Sequence, residues 1–288
     1  MSFPLMHMAH TGALRDHAVT LEYRHWQNPD QLRVLLARKE VDITAAPSSL
    51  AALLANRGES VRLVNISVWG ILWLVSRDPA VRSFGDLQGQ ELLVPFQRDL
   101  PATLIDRLLT SQTVPGVEPV RQRRTRDAQD AIALMLAGQG KHAVLVEPAV
   151  SLLLWRDAQQ GSGELRRVES LEQAWRVRFP EQPELPQAGV MLNSTVAGDA
   201  KLAAAVERAY AESAVWCKAQ VSACAEIVRV YLPQLPQPAI EDAIRSTRLD
   251  SRSASAVRPQ LEALYRLLGD EDLQAIGGRL PDVGFYGP

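Results

Sequence analysis

Cysteine is nearly absent: Cys217 and Cys224 are the only two in 288 residues. That is too few for a disulfide framework, and their spacing matches no zinc motif. Either they share a helix face as buried thiols, or the helix breaks near 220–222 and they close a disulfide, the mark of an oxidising compartment. Long apolar runs are missing as well. The longest, 68–75 and 143–150, have strand-like lengths, far short of the ~20 residues a membrane helix needs. No basic stretch leading into an apolar one opens the chain, so no secretory signal is visible. Excess charge is lacking too: 31 Lys and Arg stand against 33 Asp and Glu, a net −2. This argues against a nucleic-acid partner. Arg121, Arg123, Arg124 and Arg126 form only a local cluster, read as a solvated strand edge and helix start.

The motifs of common enzyme classes are missing: no Gly-x-Ser-x-Gly, no His-Glu-x-x-His, no phosphate-cradling glycine loop, no dinucleotide fingerprint. No internal repeat is evident. Four of the five histidines (His7, His10, His17, His25) fall early in the chain, but no cysteine or paired carboxylate joins them, so no metal site is expected. The chain reads as a non-enzyme without cofactor or metal.

What is present is ordinary soluble-protein composition, 47% hydrophobic and 22% charged, in a chain long enough for one large domain or two medium ones. Val19-Thr20-Leu21-Glu22-Tyr23 alternates like a strand. Asn28-Pro29-Asp30-Gln31 supplies a helix cap. Short β-type runs near 41–45, 61–66, 71–75, 91–96, 117–123, 143–146 and 187–193 are separated by amphipathic helices, among them 47–56, 99–109 and 127–137. The segment 158–186 is less regular, and everything after Gly198 reads as helical. The alternation predicts an α/β fold with largely parallel sheets covered on both faces. Two lobes are expected, 1–76 with 190–288 and 77–189, the helical tail packing on the first.

Several segments resemble, in order, the periplasmic substrate-binding proteins of the nitrate/sulfonate/taurine type of ABC transporter. Glu40-Val41-Asp42-Ile43-Thr44-Ala45-Ala46-Pro47 looks like their strand with a Val-Asp pair. Asp86-Leu87-Gln88-Gly89-Gln90 is similar to their Asp-Leu-Lys-Gly-Lys turn, Val146-Glu147-Pro148 to a strand-ending Glu-Pro, and Gln187-Ala188-Gly189-Val190 to a returning crossover. Trp69-Gly70, Pro95-Phe96, Ile276-Gly277-Gly278-Arg279-Leu280-Pro281-Asp282 and Phe285-Tyr286 look like signatures of one uncharacterised branch. The resemblance implies a two-lobed type II binding fold with two hinge crossovers, a ligand cleft, an ABC permease partner, a periplasmic location and a monomer. It departs at the start: family members carry a secretion signal and a first strand ahead of the segment matching Phe3 to Gly12. Here a trimmed or mis-started form is expected.

Ligands of open α/β sheets lie beyond the carboxyl ends of strands, where helix N-termini offer free N–H groups. The turns in that position contain Pro47, Ser48 and Ser49; Trp69 and Gly70; Phe96, Gln97 and Asp99; and Glu147. His10 and Thr11 join them because the family places its first loop at the ligand. Each has a plainer reading. A serine can simply cap a helix, Asp99 can be an N-cap, and a lone aromatic is more often core. Asp99 and Glu147, with only Arg98 nearby, oppose an anion, so the expected ligand is a neutral or cationic organic molecule, its ring stacked on Trp69 or Phe96. The alternatives are a two-lobed enzyme of small-metabolite metabolism, such as one acting on pyrimidine precursors, and a cytoplasmic effector-binding sensor.

Overall fold

Eleven helices and nine strands alternate along the described residues of the computed structural model, which are 2–26, 29–97, 99–269 and 273–287. In chain order they are α1 (Phe3–Thr11), α2 (Pro29–Ala37), β1 (Ile43–Pro47), α3 (Ser48–Asn56), β2 (Arg62–Val68), β3 (Leu72–Ser76), β4 (Glu91–Val94), α4 (Leu100–Ser111), β5 (Arg121–Arg124) and α5 (Ala128–Leu136). There follow β6 (His142–Val146), α6 (Ala149–Gln159), β7 (Arg166–Ser170), α7 (Leu171–Arg178), β8 (Ala188–Leu192), α8 (Ala200–Ala219), α9 (Val221–Tyr231), α10 (Gln237–Ser246), β9 (Leu249–Ser253) and α11 (Arg258–Gly269). The expected cap Asn28 and the expected site neighbour Arg98 lie outside the described residues.

Two units divide the chain. The first comprises Met1–Trp69, Leu185–Gln234 and Arg248–Pro288; the second comprises Gly70–Glu184 and Leu235–Thr247. The sequence suggests a single excursion into the second unit. The structure has two, because α10 packs on α6 rather than with the rest of the tail.

The first unit is built on a four-stranded sheet in the order β1-β8-β2-β9, and every pairing in it is antiparallel. The expected parallel sheet fails here because β8 runs back between β1 and β2. Alternate residues bury both faces. Leu63, Ile66 and Met191 join a core with Leu261 and Tyr265 of α11, while Val64, Val190 and Leu192 join one with Met8 of α1 and Val206 and Tyr210 of α8. Two residues fix the centre. A Cβ on Gly189 would lie 1.7 Å from the Asn65 carbonyl oxygen, so only glycine fits there. At the adjoining bulge in β2 the buried Asn65 side chain replaces lost ladder bonds: Oδ1 accepts from the Val190 N–H at 2.9 Å, and Nδ2 donates to Ser251 Oγ at 2.9 Å.

In the second unit the sheet order is β5-β4-β6-β3-β7. β4 pairs in parallel with β5 and β6, whereas β3 is antiparallel to both β6 and β7, so this sheet is mixed. Val75, Leu93, Ala143 and Leu145 pack with Ile132 and Met135 of α5 and Leu153 of α6. Their alternates Leu74, Leu92 and Val144 are also fully buried.

The 19–23 run forms no strand. β9 (Leu-Asp-Ser-Arg-Ser) lies inside a tail read as wholly helical; its polar residues carry no strand signature. Of the two alternatives open for the cysteines, the structure has the disulfide. Gln220 breaks the helix between α8 and α9, and Cys217 and Cys224 are joined with a Cα–Cα distance of 5.1 Å.

Candidate functional site

Sheet register brings the expected turns of the first unit to one end of its sheet. Pro47 and Val68 both pair with Ala188, the first residue of β8, and Val68 also pairs with Leu249, the first of β9. The start of α3, Trp69 and Arg248 therefore gather at one edge, beside three of the four points where the chain changes unit. Ser48 is committed to structure. It is fully buried, its hydroxyl donates to the Pro186 carbonyl at 2.7 Å, its N–H donates to Gln187 O, and its carbonyl accepts from the Tyr265 hydroxyl at 3.0 Å. Ser49 is different: half-buried in the first turn of a helix with no side-chain cap, it can offer its hydroxyl and N–H to a ligand.

Trp69 is fully buried, so no face of its ring is open for stacking a ligand. Its Nε1–H donates to the Asp250 carbonyl at 2.6 Å, and the Arg252 guanidinium lies over its ring at 4.4 Å, with Arg248 at 5.8 Å. Both arginines pair with the Asp250 carboxylate, at 3.3 Å from Arg248 and 2.9 Å from Arg252. Sequence reading missed this cluster, which sits on the strand mistaken for helix. His10 and Thr11 are exposed in the last turn of α1, which packs on α8 and α9. Thr11 bonds back to the His7 carbonyl, and among the described residues no hydrogen bond links either residue to the strand ends.

The second unit gathers its own set. The carboxyl ends of the parallel strands β4, β5 and β6 lie together, and the start of β3 joins them because Leu72 pairs with Val146. Phe96 is half-buried and Gln97 exposed. The loop carrying them is tied to the end of β5: Gln97 Nε2 donates to Thr125 O at 2.8 Å, and Arg124 donates to Phe96 O at 2.6 Å. Asp99 caps α4, accepting from the Ala102 N–H at 3.1 Å, and burial pushes its carboxyl above the usual range. Gly70 lies beneath Glu172, whose carboxylate a Cβ there would meet at 2.4 Å.

Glu147 ends β6 in a buried ion-pair network. Its carboxylate accepts from Arg167 at 2.6 Å and from the Ser151 N–H and hydroxyl at 3.2 and 2.7 Å, and Arg167 also bonds Asp242 of α10 at 2.7 Å. Burial works against the Arg167 charge, but the two carboxylates outweigh it and hold the guanidinium above its ordinary value. Glu147 is thus paired within its own unit. Among the described residues no group of three or more His, Cys, Asp or Glu is placed to hold a metal, and no helix is long and apolar enough to cross a membrane.

No family model matches the sequence, and neither does any curated protein. Solved structures do. An ABC transporter protein from Parabacteroides distasonis is 23% identical over 99% of this chain and 94% of its own, with a TM-score of 0.75. The periplasmic aliphatic sulphonate binding protein SsuA from Escherichia coli is 14% identical over 98% of this chain and 90% of its own, TM-score 0.68. The chain shares the fold of both. A cysteine-to-serine mutant of DszB in complex with biphenyl-2-sulfinic acid shares that fold at 14% identity and a TM-score of 0.62, over 99% of this chain and 92% of its own.

Proposed function

We propose that the protein is the solute-binding component of an ABC-type uptake system, that it captures a small organic molecule and hands it to a permease, and that it works in the periplasm as a monomer. The observation that carries this reading is the collection, in each unit, of accessible polar turns at the sheet end beside the chain's passages: Pro47 and Ser49 in the first, Phe96, Gln97 and Asp99 in the second. These turns are the proposed ligand-contacting surfaces. The Cys217–Cys224 bond supports an oxidising compartment. Of the two carboxylates that argue for a neutral or cationic ligand, Glu147 is spent on Arg167, so Asp99 carries that preference alone. Asp99→Asn keeps a capping side chain and is expected to weaken a cationic ligand while sparing a neutral one.

The likeness to DszB favours a second, enzymatic reading. Chemistry that needs a free thiol is closed to this chain, since its two cysteines are bonded to each other. Incubation with a metabolite mixture, followed by mass analysis of what the protein retains, separates the two. A retained compound recovered unchanged supports capture, and a converted one supports catalysis.

A further inference from the structure

The end of the first unit's sheet holds a buried hydrogen-bond donor without an acceptor. Gln187 is 5% exposed, and its Nε2 bonds to none of the described residues. An amide buried unpaired is costly, and native proteins seldom keep one without a functional reason. The backbone of Gln187 is fully used: its N–H donates to Val68 O at 3.0 Å, and its carbonyl accepts from the Ser48 N–H at 2.9 Å. These bonds carry the ladder of β8 one residue ahead of Ala188. Side chains alternate across a strand, so Gln187 lies on the face of Met191, which packs with Trp69 and with Ala51 and Ala52 of α3. Val190 and Leu192 take the opposite face, against α1 and α8. The amide is therefore aimed into the side of the sheet that α3 covers, level with the first turn of that helix.

That turn adds donors of its own. Pro47, in the capping position, makes no side-chain bond, and the Ser48 N–H is already taken by Gln187. The N–H groups of Ser49 and Leu50 come too early to find acceptors inside the helix, and Ser49, half-buried, adds its hydroxyl. We propose that Gln187 and the first turn of α3 form a subsite for one uncharged carbonyl oxygen of the ligand, the oxygen of an amide, and that Gln187 selects for it. This inference rests on the capture reading above and deepens it by naming the group recognised in the first unit. All of these donors are neutral, and the charged side chains near Trp69 are bound up with one another, Arg248 and Arg252 on Asp250. Neutral donors suit a neutral acceptor, whose removal from water costs far less than an anion's. A ligand lacking the oxygen leaves Nε2 buried and unpaired, which is how such a site rejects it.

The test is NMR of the isotope-labelled full chain titrated with acetamide, the smallest such probe, and in parallel with acetate and methanesulfonate. Acetamide is expected to shift the Gln187 side-chain amide signals together with the Ser49 backbone N–H, and the two anions to leave both in place. Gln187→Met, close in size and without the amide, should bind acetamide about tenfold more weakly. It should melt no lower than the natural protein, because what it removes is an unpaired group. Gln187 signals that stay put at the highest acetamide concentration the fold tolerates, or that move with the anions instead, would overturn the proposal. So would a Met variant that melts markedly lower, since the amide would then be serving the fold. Capture itself is judged separately, by the compound the protein retains: a retained compound with unmoved Gln187 signals sinks the subsite alone, and shifted signals with nothing retained sink capture alone.

Discussion

At the scale of the residue, the ends of strands and starts of helices were legible and the partnerships of the side chains there were not. Glu-Pro marks Glu147 as a carboxylate at a strand end, but nothing local announces that Arg167, on a different strand, pairs with it. Ser48 and Trp69 were misjudged for the same reason, since Pro186 and Asp250 reach them from far along the chain. Arg167→Met should therefore behave as a stability variant. It leaves Glu147 buried without its cation, at a cost of about 3 kcal/mol, read by denaturant unfolding. His142 makes a second prediction. It is buried between Ser76 Oγ at 2.9 Å and Gln90 Oε1 at 2.8 Å, and burial lowers its pKa from 6.5. The unfolded chain then takes up a proton near 6.5 while the folded one resists it. Stability is lost as pH falls below that value and levels off once the folded pKa is passed. Thermal unfolding between neutral and mildly acid pH should show a steeper fall for the natural protein than for His142→Gln.

At the scale of the element, periodicity and caps located most helices and strands, and the errors have physical causes. The 19–23 run has a strand's alternation, but among the described residues it pairs with no strand. β9 has the neighbour without the pattern: it is held by β2 through Asn65 and backbone pairing, with intermediate exposure throughout. Asn65→Leu should cost about 2 kcal/mol, because the buried Val190 N–H loses its acceptor. Between α8 and α9 the cross-link closes a short loop. Replacing both cysteines with serine should cost roughly 2 kcal/mol by loop-closure entropy, measurable as a fall of several degrees in Tm, and reducing agent should do the same to the natural protein alone.

At the scale of the whole molecule, alternation of elements gave the α/β class, and colinear short motifs gave the likeness that solved structures share over nearly the full chain. Sheet direction and the second excursion were hidden. Both depend on where β8 and α10 dock, and docking is decided by buried faces distant in sequence. Ser49 in the first unit and Gln97 in the second are each proposed to contact ligand. Once a retained compound is identified, the direct measurement is its Kd by calorimetry for Ser49→Ala in the first unit and Gln97→Ala in the second, with Tm checked for both. The account predicts that each variant keeps its fold and binds about five- to tenfold more weakly. Unchanged affinity in either folded variant would contradict it.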